Sequence, residues 1–372
     1  MPDINALPAL PGARSPRAAV KLNGAFVPCV AINVDNNAYR AADTFDVTFA
    51  VGALPAAYGP AWFGSQSSID CEVFMTTDAV SPANYQPTAA DRLILGQVDD
   101  IEFDPLAGTI HITGRDWTAK LIDTKTSENF LNQTSSQIAQ TLAARHGLAA
   151  QVDPTTTRVG TYYSQNHSGL SQERSEWDLL VELAAYEDFD VFVRGETLYF
   201  QAKPADAGAR YVIEWRQPDE GAPEANVVSL RFDRSLTIAK GVVVTVRSWN
   251  SKSKRSFEAA WPKAVKSTKP GQSGAATPLA YHYTIAGLTQ DQAIQRAKAI
   301  YEQIVQHMVR LSADLPGDML LDCSMLLQVR GTGTSWDQTY YPDSVKRSMS
   351  IDEGFRMTVT AKNISDTVEN QT

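Results

Sequence analysis

The stretch VDDIEFDPLAGTIHITGRDWTAKLIDTK, residues 98–125, changes its hydrophobic period partway along. Up to Thr113, apolar and polar residues alternate. Ile101 and Phe103 share one side with Ile110 and Ile112, while Asp100, Glu102 and Asp104 share the other with Thr109, His111 and Thr113. A period of two marks strands, and the short turn bounded by Asp and Gly closes them into a hairpin. After Trp117 the alternation stops, and TAKLIDTK reads as a brief amphipathic segment. Arg115, Asp116, Lys120, Asp123 and Lys125 crowd the changeover. Such a cluster is either an active site or a joint between structural units. Catalysis needs a histidine or a further carboxylate held beside them in a cleft, and no catalytic motif marks one here. A joint needs only opposite charges where two units meet, so Arg115, Asp116, Lys120 and Asp123 read as an inter-domain joint.

The same two periods sort the rest of the chain. Ahead of the hairpin, AAVKLNGAFVPCVAINV carries an Asn23-Gly24 turn, and DTFDVTFAV alternates Phe45, Val47 and Phe49 with polar partners. Behind it the pattern becomes helical. SSQIAQTLAARHGL sets Ile138 and Leu142 at helical spacing and stops at Gly147, and SEWDLLVELAAYEDF opens on Ser175 with Asp178 three positions later. FDVFVRGETLYFQ turns near Arg194-Gly195, and strands return at ANVVSLRF and GVVVTVRSW. TQDQAIQRAKAIYEQIVQHMV is the longest helix signal, with Thr289 and Gln292 as a capping pair and a stripe of Ile294, Ala297, Tyr301, Ile304 and Met308. At the end, Phe355, Met357, Val359 and Ala361 alternate with Arg356, Thr358, Thr360 and Lys362. Residues 343–363 thus repeat the strand-turn-strand plan of 97–116, which suggests two related β units with helical material between them. The expected class is α+β, mainly β.

A chain of 372 residues predicts two or three domains. The formal net charge of -9 argues against binding nucleic acid by neutralising phosphates over the whole surface. Cys29, Cys71 and Cys323 form no CxxC pair and fit free thiols in a reducing compartment. MPDINALPALPGARSP has no apolar core of a signal peptide, and no apolar run reaches the roughly 18 residues of a membrane span. The expectation is a soluble protein made in a cytoplasm.

Motifs for chemistry are absent. His111, His146, His167, His282 and His307 show no metal-ligand spacing, and RGTGTSW at 330–336 lies between strand signals rather than ahead of a phosphate-binding helix. Glu173, Glu176, Asp178, Glu182, Glu187 and Asp188 invite a glycosidase reading, which needs two carboxylates flanking one sugar bond. They lie mostly off the Trp177-Leu180-Ala184 stripe and so read as a solvated helix face. No catalytic, cofactor-binding or metal-ligating residue is expected. Residues 250–280 stand apart: Lys252, Lys254, Arg255, Lys263, Lys266 and Lys269 face a single acid, Glu258, in a Ser-, Gly- and Pro-rich setting. This reads as an exposed basic loop able to dock an acidic neighbour.

Three blocks, GRDWTAKLIDTKTSENFLNQTSSQIAQTLAARHGL, SEWDLLVELAAYEDFDVFVRGETLYF and YYPDSVKRSMSIDEGFRMTVTAKN, in that order resemble the late control D family of phage tail baseplate hub proteins. That family is similar to the hub of T-even phage tails and to the N-terminal part of type VI secretion spike proteins. The resemblance covers about residues 95–365; the basic segment departs from it. It implies two similar tube-type β-barrel domains with α+β insertions between them. The boundaries are an N-terminal arm at 1–17, a first barrel at 18–119 and an α+β middle domain at 120–207. A second barrel is split between 208–250 and 309–365, around a basic loop and helix at 251–308, and 366–372 form a tail.

The resemblance further implies a homotrimer without enzymatic activity or cofactor. Six barrels in a ring would join a sixfold tail tube to a threefold central spike and form part of the DNA ejection channel in the virion. The implied partners are the tube or a tube initiator, the spike, other baseplate proteins and the tape measure protein. In such a ring Asp100, Glu102 and Asp104 would face the lumen, where an acidic wall lets DNA slide without sticking. Two rivals stand beside this reading: a cell-wall hydrolase, and a receptor- or carbohydrate-binding module using Trp62, Phe63, Trp249 and Trp261 as an aromatic platform.

Overall fold

A computed structural model describes residues 16–363 apart from 39, 78–84, 129, 131, 157, 159–173, 203–209, 240, 251–254, 263–277 and 286–287. Residues 1–15 of the expected arm, the tail at 366–372 and most of the basic segment lie outside the described residues.

The first unit holds β1 (Arg17–Leu22), β2 (Ala25–Val27), β3 (Ala31–Asn37), β4 (Thr44–Ala50), β5 (Asp70–Thr76), β6 (Arg92–Asp104) and β7 (Thr109–Asp116). In space they run β2-β1-β5-β6-β7-β4-β3. Asn23 and Gly24 both have positive φ, as the tight turn from β1 to β2 requires. Val20, Val47, Phe49, Val73, Ile110 and Ile112 form the core.

The middle unit follows directly. It contains the helix Thr118–Asp123, β8 (Lys125–Thr126), the helix Ser135–Arg145, β9 (Ala149–Val152), β10 (Arg174–Ser175), the helix Glu176–Glu187, β11 (Phe189–Arg194) and β12 (Thr197–Ala202). Trp117 at the end of the first unit packs into this core with Ile138, Leu142, Trp177, Leu180 and Phe200.

The second unit opens with β13 (Arg210–Arg216), β14 (Glu224–Ala225) and β15 (Ser229–Arg234). An insert then supplies β16 (Val242–Asn250), β17 (Arg255–Trp261), β18 (Leu279–Thr284) and the helix Gln290–Val305. The unit resumes with β19 (Val309–Pro316), β20 (Leu326–Arg330), β21 (Thr339–Ser350) and β22 (Gly354–Asn363). Its order is β14-β13-β20-β21-β22-β19-β15, position for position that of the first unit. One difference is that β1 pairs β5 antiparallel while β13 pairs β20 parallel.

Two expectations differ from the structure. Each β unit was expected to close as a barrel, and no closed barrel forms among the described residues. The outer edge of β3, which closure of the first unit would use, instead pairs with β21 over Ala31–Asn37 and Ser344–Ser350. One fourteen-stranded sheet therefore runs through both units. The strand Val242–Asn250, expected in the second barrel, pairs instead with β17 and β18. Its Val242, Val244 and Val246 pack on Ala293, Ala297 and Ile300 of the helix, so the insert begins near residue 241. Small alanines let that helix lie close against the valine face.

Candidate functional site

Eight strands, β6-β7-β4-β3-β21-β22-β19-β15, form one continuous layer in which every pair is antiparallel. Directly opposed residues project to the same side, so pairing defines rows across the layer. One row runs Asp100, Thr113, Asp46, Asn33, Ser348, Arg356. Another runs Arg115, Thr44, Asp35, Lys346, Thr358, Asp314, Ser229. The alternate residues, among them Ile112, Val47, Ile32, Val359, Ala313 and Leu311, are buried in the two cores. One face of the layer is thus apolar and covered; the other is polar and open.

The open face is divided by charge. The first-unit strands contribute Asp35, Asp46, Asp100, Glu102 and Asp104, with Arg115. The second-unit strands contribute Lys346, Arg356, Lys362, Arg310 and Arg231, with Asp314 and Asp233. Asn33 Nδ2 donates to Asp46 Oδ1 at 2.8 Å, and His111 lies 3.5 Å from the same carboxylate. Ser229 and Thr358 hydroxyls donate to Asp314 and hold its carboxyl below its ordinary range.

Both ends of the layer are open. Pairing of β6 with β5 ends at Gln97, so among the described residues Asp99–Asp104 pairs only with β7, and β15 only with β19. Large apolar residues are exposed at each end: Ile101 at 39%, Phe103 at 47% and Leu106 at 99% beside β6, and Val228 at 77% and Leu236 at 69% beside β15. Ile101 and Phe103 do lie opposite Ile112 and Ile110, as their alternation predicts.

The charged changeover that opened the sequence reading spans two units. Arg115 grips Asp99 of β6 with Nε and Nη2 at 2.7 and 2.8 Å, and reaches Asp123 at the end of the next helix at 3.2 Å. Lys120 Nζ sits 3.7 Å from the centre of the Trp117 ring. Asp116 is buried, and its two oxygens accept from the backbone and hydroxyl of Thr118. Burial, then the neighbouring Asp43, pushes its carboxyl well above the ordinary value.

Asp43 belongs to a partly buried polar cluster that sequence reading missed. It accepts from Asn37 N at 2.7 Å and Asn36 Nδ2 at 2.8 Å. Arg347, on the covered face of β21, donates to Asp318 O, Asn36 Oδ1 and Leu321 O. Arg194 of the middle unit donates to both oxygens of Asp322 at 2.7 Å. Burial works to raise the Asp322 carboxyl, but Arg194 and Ser324 outweigh it and hold the group low. The cluster lines a cavity of about 230 Å³ where all three units meet. Asp43, Asp116 and Asp322 each accept from nearby backbone or side-chain donors, an arrangement that positions the loops where the units meet.

The acids of the helix Glu176–Glu187 divide. Asp178 caps the helix through Ser175, and Glu182 is exposed. Glu176, expected on a solvated face, is fully buried and pairs with Arg145 and with His146 Nε2 at 2.6 Å. It lies in the helix's first turn, which folds against the helix Ser135–Arg145. Glu173 and His167 lie outside the described residues. Among the described residues no group of three His, Cys, Asp or Glu side chains is placed to hold a metal, and no helix is long and apolar enough to cross a membrane. Cys71 and Cys323 are buried, and Cys323 Sγ donates to Asn36 O at 3.2 Å. Of the aromatic residues, Trp62 and Phe63 pack on the first core while Trp249 and Trp261 stand on the insert, so they form no common platform. Arg255 begins β17; Lys252, Lys254, Lys263, Lys266 and Lys269 lie outside the described residues.

This fold is that of phage tail proteins and of their relatives in type VI secretion. It is shared with the tail protein of Neisseria meningitidis MC58 at a TM-score of 0.66 and 12% identity, covering 94% of this chain and 97% of that one. The 43 kDa tail protein of prophage MuSo2 from Shewanella oneidensis matches at 0.61 and 17% identity, over 93% of this chain and 98% of that one. An Escherichia coli component of the type VI secretion system, described as structurally similar to the T4 tail proteins gp27 and gp5, matches at 0.53 and 12% identity, over 93% and 77%. In sequence, no family model and no curated protein matches the chain.

Proposed function

We propose that this chain is a structural hub of a bacteriophage tail baseplate, of the late control D type, in which three copies form a ring between tail tube and central spike. The observation that carries it is the eight-stranded antiparallel layer with one polar open face and an open edge at each end. A lone protein leaves such edges exposed at the risk of aggregation; a closed ring of copies buries them. In that ring the polar face lines a channel for DNA, and Asp100, Glu102 and Asp104 stand on it. Each copy offers two units of one strand order, so three copies present six similar positions to a sixfold tube. Arg115, Asp116, Lys120 and Asp123 hold the first unit to the middle one. The basic segment around Lys252, Lys254, Arg255, Lys263, Lys266 and Lys269 docks an acidic neighbour in the baseplate. The overall likeness to tail proteins and to a type VI component supports a structural rather than enzymatic role. Native mass spectrometry of the purified chain and of isolated tails tests this reading. Three copies per assembly are expected; a monomer at every concentration and a single copy per tail would refute it.

A further inference from the structure

We propose that residues 241–306 form a hinged arm, latched to the middle unit at Arg296 and Tyr186, which swings between a docked and a released position. The motion belongs to a single copy and does not depend on the ring. Among the described residues the strands of the insert pair only with one another, so no sheet ladder ties it to the rest of the chain. Its valines and the alanines of the helix Gln290–Val305 give it a core of its own, which lets it move as one body.

The chain enters and leaves the insert side by side. The last pair of β15 and β19 is Arg234 with Val309, and Ser235 N then donates to Met308 O at 2.8 Å. Two adjacent crossings at one end define a single axis of rotation. The entry turns at Gly241, whose φ of +100° would strain any other residue. Ile238, just ahead of it, packs on the cores of both the second unit and the insert, and so stands at the pivot.

The insert reaches the middle unit through the helix Gln290–Val305. Arg296 Nη1 donates to Ala185 O at 2.8 Å, and Gln292 Nε2 donates to the Tyr186 hydroxyl at 3.2 Å. The Tyr186 ring packs on the insert's core. Ala185 and Tyr186 lie in the last turn of the helix Glu176–Glu187. The final carbonyls of a helix lack partners within it and favour a cation, which Arg296 supplies. Two cavities open along the same contact. One, of about 300 Å³, lies between Glu187 and Asp188 of the middle unit and Gln295, Lys298 and Glu302 of the insert. The other, of about 330 Å³, lies between Gln303, Gln306 and His307 and the facing Arg40, Asp190 and Tyr341. A close-packed core leaves few voids larger than a water molecule, so specific polar contacts hold this interface more than packing does. Such an interface opens at small cost, and release would bare the end of the helix Glu176–Glu187.

The test uses the full chain with Cys29→Ser and nitroxide labels at Gln140→Cys in the middle unit and Glu258→Cys in the insert, both exposed positions. Treating the Cys29→Ser parent alone checks that buried Cys71 and Cys323 take no label. Pulsed electron resonance reads the distance between labels. With the latch intact a main, docked distance is expected. Arg296→Ala should raise the share of a second, distinct distance by about threefold or more. Arg296→Lys, which keeps a cationic donor, should return most of that share to the docked position. A single distance unchanged by Arg296→Ala overturns the proposal. So does one broad distribution together with loss of the cooperative thermal transition, since the insert then melts rather than swings. Neither result touches the hub reading, which stands or falls on the number of copies.

Discussion

Gly114 shows how tightly the first unit is built. A Cβ there would lie 2.2 Å from Gln97 O and 2.4 Å from the tip of the Phe45 ring. Backbone cannot retreat cheaply, so Gly114→Ala should destabilise the protein by about 1–3 kcal/mol in urea titration. An unchanged midpoint would show that the sheet yields there. Asp43 gives a pH signature. Burial raises its carboxyl from 3.8 to about 6, against the hydrogen bonds of Asn36 and Asn37. A carboxyl that titrates higher in the folded chain holds more proton there than when unfolded. Its contribution is therefore full below about pH 4 and is lost as pH rises through about 6. Asp43→Asn should flatten the fall in stability across that window; a slope equal to the wild type's counts against it. These residues were invisible as a cluster in the sequence, because Asn36, Asp43, Asp116, Arg194, Asp322 and Arg347 come from all three units. Glu176 was misread for a related reason: the stripe on one helix cannot reveal that Arg145 and His146 of another will cover an acid.

Local elements were far more legible. The capping boxes at Ser175/Asp178 and Thr289/Gln292 form as their spacing predicts, and Gly147 and Gly195 take the positive φ their turns need. Each depends on residues only a few positions apart. The helix Gln290–Val305 buries Ala293, Ala297 and Ile300, with Tyr301 and Ile304 only partly covered, so its inward face is turned from the expected stripe by about one residue. The insert carrying it has a core of its own. In the first unit the matching connection, from β3 to β4, is made by residues 38–43 alone. Replacing residues 241–306 with a short Gly/Ser turn should therefore leave a cooperative thermal transition and most of the strand signal in circular dichroism. Loss of cooperativity would show that the second unit leans on the insert.

At the scale of the molecule, the sequence revealed two echoing hairpins but not the seam between β21 and β3, since strand alternation is the same whatever partner lies alongside. The open face is a mosaic, acidic over the first unit and basic over the second. If it lines a DNA channel, Asp46→Lys with Thr48→Lys, changes remote from both open edges, should leave tails intact yet slow genome ejection at low salt more than at high salt. Equal rates at all salt concentrations would argue against a lumenal face. The seam also bears on synthesis. Asp35 and its hydrogen-bonding partner Ser344 lie 309 positions apart. At roughly 5–20 residues per second, β3 waits about 15–60 s on the ribosome before β21 is made. For that interval a nascent chain displays a bare strand edge, so ribosome stalling between those positions would prolong exposure to misassembly.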